Sequence, residues 1–442
     1  MAALEADVHP PLYFQILSVW IRLFGTGERT VRSLSGLFYL LSAFALYGLG
    51  RELYGKETGL LCAALYLTSP LAILCAQFAR MYSLLSLLSI LSTWLYLNFS
   101  VKPRDSNLRF ALYILINVLG TFTHIAFFFL LFGQIVFHLL FCRRIGMKKF
   151  VFAMVFSLVP YILFWAPILL GQIANSGQGL AWVQKPGLSS VGELALLYGG
   201  VFWLLVPILL YLWWRSGFES LRGFSKISIK SLPLWLLATT IVTPLLISQV
   251  KPIFNSRLAI VGLPLFALTI GAIIGKRANY FLILELILLT AIGLFFLHPG
   301  SSACDNRAIA TYLSQTAKDG DVVIFTSLTR LPIDYYLERA PRKKLYETSF
   351  PAEIDRHPGY EGRISDPGRL PALEREAREL VDKIGSMQLK GRGGRTFFFR
   401  GRHGQVDSLI EDALHGHFEL VPTEGVRCGD ASPYVKVVSV YR

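Results

Sequence analysis

The chain has 442 residues, 53% of them apolar and only 16% charged, with a mean hydropathy of +0.50. Soluble domains carry about 25% charged residues, so this balance excludes an ordinary soluble enzyme and points to a protein that lives in a bilayer. A net charge of +14 would suit a nucleic-acid binder, but residues 301–442 hold 21 Lys and Arg against 20 Asp and Glu, so nearly all the excess lies among the apolar segments of the first 300 residues.

The first element is polar. "EADVHPPLYF" sets Glu5, Asp7 and His9 before a double proline, and an acidic residue ahead of Pro is common helix-start grammar. The 13 residues LYFQILSVWIRLF (12–24) include Gln15 and Arg22. They are too few to span a membrane and read as an interfacial or re-entrant helix. Ten spans are predicted after it, near 34–50, 58–76, 82–99, 108–122, 124–141, 150–170, 191–214, 233–249, 256–275 and 279–297. Beyond residue 300 no span occurs. DGDVVIFTS (319–327), RTFFFRG (395–401) and PYVKVVSVYR (433–442) read as strands, and the stretches around 305–317, 371–385 and 406–416 as helices. The expected fold is an all-α polytopic membrane bundle of about ten transmembrane helices, followed by a small extracytoplasmic α/β domain. Its expected divisions are an outer segment with the interfacial helix (1–33), a transmembrane domain (34–299) and the α/β domain (300–442).

Alternating the loops puts fifteen of the 22 basic residues of the first 300 on one side, among them Arg143, Arg144, Lys148 and Lys149. Short loops rich in Lys and Arg stay cytoplasmic. The HPP segment and the C-terminal domain are therefore expected outside a plasma membrane. The first residues show no basic stretch followed by an apolar core, so no signal peptide is read there. An outer N-terminus suggests a preceding transmembrane helix that this sequence does not include. Cys304 and Cys428 fall in the outward domain and are candidates for a disulfide.

Most outer loops are very short, and the unusual polar residues gather in them. They are Glu5, Asp7 and His9; then Gln77, Arg80 and Tyr82 in "AQFARMYS"; then Thr123 and His124 in "TFTHIAF"; then Lys251, Asn255 and Arg257 in "KPIFNSRLAI". Charged groups at membrane depth are costly and usually face a cavity or partner, so these four corners are expected to converge on one outward cavity. The plainer alternatives are snorkelling arginines at Arg80 and Arg257, a helix-capping His124 and an Asp7 that only caps a helix. No spacing of Cys, His or carboxylates fits a zinc site.

"DVHPPLYFQILSVWIRLFGTGERTVRSLSGLF" and "GRELYGKETGLLCAALYLTSPLAILCAQFARMYSL" resemble bacterial membrane glycosyltransferases of the GT-C class. Within that class they are similar to the protein O-mannosyltransferase-like group, relatives of the lipid A aminoarabinose transferases. The matching residues are Asp7, His9, Pro10, Pro11 and Tyr13; Phe24, Gly25, Glu28 and Arg32; and Gln77, Ala79, Arg80, Met81 and Tyr82. Thr123–His124 and the Arg257-bearing "FNSRLAIVGLPLFALTIG" match as well. The resemblance implies transfer of a sugar from a polyprenyl-phosphate donor to a protein, lipid or glycan acceptor outside the membrane, by inversion. It implies a catalytic carboxylate, Asp7 first and Glu5 second, with His9, Gln77, Arg80, Tyr82, His124 and Arg257 binding substrate. No metal is expected to be required, although some relatives bridge the phosphate with a divalent cation. The rivals are a non-catalytic scaffold of GT-C descent and a lipid or solute transporter.

Overall fold

The computed structural model describes residues 9–101, 106–142, 146–175, 185–207, 231–274, 280–296, 306–326, 329–341, 343–353, 367–389, 394–401, 404–421, 426–427 and 437–442. Glu5, Asp7, Cys304 and Cys428 lie outside the described residues. The chain divides into two compact units, Met1–Ala174 with Trp182–Leu297, and Asn175–Ala181 with His298–Arg442.

The first unit is helical. α1 (Leu12–Phe24) is joined through Gly25 to α2 (Glu28–Tyr54), and the Trp20 indole pins them together by donating to the carbonyl of Thr30 at 3.0 Å. α2 has 27 residues, a length of about 40 Å at 1.5 Å per residue, enough to cross a bilayer. The chain reverses at Gly55, whose φ of 102° suits glycine, into α3 (Lys56–Leu67). The 58–76 span expected from the sequence is two helices, because α4 (Pro70–Gln77) leaves α3 at 57°. Ser69–Pro70 is the cause: proline has no N–H to continue the ladder, and the residue before it is driven to extended backbone, here φ −67° and ψ 126°.

α5 (Tyr82–Tyr96) runs into a π turn (Leu97–Val101), followed by α6 (Asn107–Thr121), α7 (Phe127–Phe141), α8 (Met147–Phe164) and α9 (Ala166–Asn175). α10 (Leu188–Gly199), α11 (Leu232–Val250), a 3-10 turn (Ser256–Val261), α12 (Leu263–Ile274) and α13 (Tyr280–Phe296) complete the unit. The expected spans 150–170 and 256–275 are thus each divided. Among the described residues four helices are long and apolar enough to span a membrane, or five if the bent pair α3–α4 counts as one. The other apolar helices are shorter, so length alone does not give ten.

Two features hold this bundle. Across α5, α6 and α7, Tyr113 donates to the Gln134 amide oxygen (2.5 Å), the Gln134 amide nitrogen to Ser92 Oγ (3.0 Å), and Ser92 to Asn117 Oδ1 (2.7 Å). All four side chains are fully buried, where hydrocarbon offers no alternative partner. Where α2 crosses α3, a Cβ on Gly59 would meet the backbone nitrogen of Arg51 at 2.7 Å and the carbonyl of Tyr47 at 2.8 Å. Gly59→Ala is therefore expected to push the helices apart and lower the melting temperature of the detergent-solubilised protein by several degrees. Gly36→Ala, with nothing within 4 Å, is the matched control.

The second unit is a five-stranded sheet in the order β2-β1-β3-β5-β4 between two helical layers. Its elements are α14 (Asn306–Thr316), β1 (Val322–Thr326), α15 (Arg330–Leu337), β2 (Tyr346–Phe350), α16 (Leu370–Leu389), β3 (Thr396–Arg400), α17 (Gln405–His417), β4 (Val426–Arg427) and β5 (Val437–Tyr441). β1 pairs parallel with β2 and β3, and β5 pairs antiparallel with β3 and β4. Alternation sends Val323, Phe325, Phe397 and Phe399 to the face covered by α14 and α15, and Val322, Ile324 and Phe398 to the face covered by α16 and α17.

Candidate functional site

The helix ends of the first unit bring polar residues together. α1 starts beside the α6–α7 corner, where the Leu12 N–H donates to the Phe122 carbonyl at 3.2 Å. That contact sets half-buried His9 next to His124, with ring centroids 5.7 Å apart. The corner is tight because Thr123 Oγ1 turns back on the Leu119 carbonyl (2.7 Å) and the His124 N–H meets the Gly120 carbonyl (3.2 Å). His124 is only 4% exposed, and its Nδ1 accepts the Ala126 N–H at 3.0 Å. On its other side stands Tyr82, the first residue of α5, with ring centroids 6.2 Å apart.

The helix that Tyr82 begins, α5, also packs against the 3-10 turn that carries Arg257. Asn255 caps the 3-10 turn by accepting the Arg257 N–H at 2.9 Å, and the Arg257 guanidinium lies over the Phe78 ring, 5.0 Å from its centroid. Upstream, Ser248 Oγ accepts the N–H groups of Ile253 (3.2 Å) and Phe254 (2.8 Å) and shapes the loop that delivers Asn255. Buried Tyr198 donates to the Ala259 carbonyl and ties α10 to the same turn.

Arg80 reaches the site through its backbone. Its carbonyl accepts from Ser35 Oγ (3.3 Å), which pairs with the Tyr13 hydroxyl (2.7 Å), and both Ser35 and Tyr13 are fully buried. The Arg80 side chain is exposed. Gln77, the last residue of α4, is exposed, and no hydrogen bond joins it to the other residues of the cluster. Of the residues singled out from sequence, His9, His124 and Tyr82 therefore form one chain of ring contacts, and Arg257 stands on the 3-10 turn packed against the same helix, α5. Ser35 and Phe78 were missed. A serine within an apolar helix and one phenylalanine among 32 carry no local signal.

Among the described residues no three His, Cys, Asp or Glu side chains stand together as metal ligands.

Residues 8–166 match the family model described as dolichyl-phosphate-mannose-protein mannosyltransferase. No curated protein matches the chain in sequence. Among solved structures it is similar to ArnT from Cupriavidus metallidurans bound to undecaprenyl phosphate. There the TM-score is 0.58 at 12% identity, over 98% of this chain and 87% of that one. The apo state of the same ArnT gives 0.55 at 13% identity, with the same coverage. An oligosaccharyltransferase from Archaeoglobus fulgidus, in complex with Zn and sulfate, gives 0.45 at 14% identity over 89% of this chain and 59% of that one. The family match over residues 8–166, which hold His9, Tyr82 and His124 but not Arg257, and the ArnT-like fold over nearly the whole chain agree with the resemblance read from the sequence, that of a GT-C membrane glycosyltransferase of the mannosyltransferase and aminoarabinose-transferase type.

Proposed function

We propose that this protein takes a sugar from a polyprenyl-phosphate carrier and passes it to an acceptor hydroxyl outside the membrane, inverting the anomeric centre. The observation that carries the reading is the contact chain His9–His124–Tyr82, with Arg257 on the 3-10 turn packed against the helix that Tyr82 begins, assembled from four separate segments at helix ends. The carrier class is taken from the bound lipid of the ArnT structure.

The carrier phosphate is the leaving group, and charge develops on its oxygens as the glycosidic bond breaks. Arg257 and Arg80 meet that charge, Arg257 with a guanidinium already held over Phe78. The acceptor hydroxyl loses its proton to a carboxylate, Asp7 first and Glu5 second. His9 orients that carboxylate, Tyr82 and His124 line the sugar pocket, and Gln77 contacts substrate at the mouth. The protein sits in the plasma membrane with three divisions, the outer segment 1–33, the membrane domain 34–299 and an extracytoplasmic domain 300–442, and it works without a required metal.

The test is transfer of radiolabelled sugar from a panel of polyprenyl-phosphate donors in membranes, with Mg²⁺ and with EDTA. Wild type is compared with Asp7→Asn and Glu5→Gln. Transfer abolished by Asp7→Asn and kept in Glu5→Gln places the base at Asp7, and the reverse places it at Glu5. Transfer that survives both substitutions removes these carboxylates from the role. No transfer by the folded wild type from any donor refutes the reading and favours a non-catalytic relative.

A further inference from the structure

α13 (Tyr280–Phe296) is apolar along its length except at Glu285, its one charged residue. One side of the helix is covered: Leu286 is fully buried, Leu282, Ile283 and Leu289 pack on the core of the first unit, and the helix leans chiefly on α3. The other side is open. Leu284, Leu288 and Ile292 are each about half exposed, and with exposed Glu285 they recur at the three- and four-residue spacing of a single helix face. Glu285 is thus set in a stripe of side chains that face hydrocarbon. Among the described residues no hydrogen bond or ion pair reaches it.

Glu285 lies about 8 Å along the helix from Tyr280 and about 16 Å from Phe296, at 1.5 Å per residue. Lysine and arginine carry their charge to the interface on long flexible stems; the short glutamate side chain does not. A carboxylate at this depth is costly and takes a partner. Charge and geometry decide among three. The ammonium of a lipid headgroup stays at the interface and does not reach it. A second copy related by a two-fold axis along the membrane normal would set the same stripe against itself, carboxylate against carboxylate. A helix of another membrane protein, with a Lys or Arg at matching depth, meets both demands. Its backbone is satisfied internally, as hydrocarbon requires, and its cation neutralises the carboxylate.

We infer that the open face of α13 is a docking surface for a transmembrane helix of a second membrane protein, held by an ion pair between Glu285 and a basic residue of that helix. Leu284, Leu288 and Ile292 supply the apolar contact along the seam. The carboxylate fixes the register, because every other alignment leaves two unmatched charges in hydrocarbon. Docking here needs no residue assigned to sugar transfer.

The test is photo-crosslinking of the full chain in membranes of the cells that naturally make it, with benzoylphenylalanine replacing Leu288 or, as a control, Phe44, an exposed residue of α2. The expected result is an adduct from position 288 and not from position 44, with one membrane protein whose crosslinked peptide belongs to an apolar helix bearing Lys or Arg. Glu285→Gln and Glu285→Leu are each expected to lower the adduct yield by roughly 30-fold or more. Glu285→Lys abolishes it, and exchanging the partner's basic residue for Glu in the same cells restores it. Wild-type melting temperatures of the detergent-solubilised variants confirm that the loss is one of docking. An adduct unchanged in Glu285→Gln would overturn the ion pair. An adduct with a second copy, or with another segment of the same chain, would overturn the partner. No adduct at position 288, or no rescue by the charge exchange, would overturn the docking surface itself.

Discussion

Arg257→Ala is expected to lower sugar transfer by about 100- to 1,000-fold, the scale seen when one preorganised donor to a developing oxyanion is removed. The side chain has little structural work to lose. It is exposed, and the 3-10 turn is held by the Asn255 cap and by the Tyr198 hydroxyl on the Ala259 carbonyl, neither of which needs the guanidinium. What disappears is a cation held over the Phe78 face. Arg257→Lys is expected to recover only part of the rate, because an ammonium restores the charge but not the planar fork that grips two phosphate oxygens. Arg80→Ala belongs to the same series. Its side chain is less tightly held, so its loss should cost less than that of Arg257. The measurement is kcat and KM with a polyprenyl-phosphate sugar, with circular dichroism confirming equal helicity. Full activity in Arg257→Ala would remove it from the site.

The second large effect lies in the α/β unit. Asp321, 2% exposed, accepts the backbone N–H groups of Lys318 and Arg395, each at 2.8 Å, and the Arg395 guanidinium at 3.3 Å. One carboxylate thus joins the entry of β1 to the entry of β3. Gly394 is built around it, since a Cβ there would stand 2.0 Å from Asp321 Oδ1. Asp321→Ala leaves two amides and a largely buried guanidinium without that partner, at a cost of about 3–5 kcal/mol. Hydrogen exchange on the full chain should show protection lost in β1 and β3 and retained in α2 and α5. Asp321→Asn, which keeps an oxygen but loses the charge, should fall between. Unchanged protection in Asp321→Ala would show that the starts of β1 and β3 do not depend on this carboxylate.

The sequence made some of this legible. α1 was read over the same residues 12–24, because Gln15 and Arg22 interrupt a run too short to span. β1, β3 and β5 lie inside the stretches read as strands: β1 and β3 because a buried strand with a parallel partner is a near-continuous apolar run, and antiparallel β5 because VVSVY is rich in β-branched residues. β2 (YETSF) was missed: it is an edge strand with half-exposed Tyr346 and Glu347 and no such run. Hydropathy counts apolar residues and ignores direction, so it passed over the bend at Ser69–Pro70 and the short 3-10 turn that carries Arg257. At the site, residue chemistry pointed to His9, Tyr82, His124 and Arg257. Their supports were hidden: the Tyr13–Ser35–Arg80 link joins residues 22 and 45 positions apart, a separation that only the fold closes.

The hydrogen-bonded set of Ser92, Tyr113, Asn117 and Gln134 draws its members from three different helices. A helix released alone into lipid during biosynthesis would carry its share of these groups with no partner and no water. Insertion of α5, α6 and α7 is therefore coupled. The earlier helices must wait at the insertion machinery, or be shielded, until Gln134 arrives, and a substitution such as Gln134→Leu would show itself first as degradation of newly made chains rather than as a slower mature enzyme.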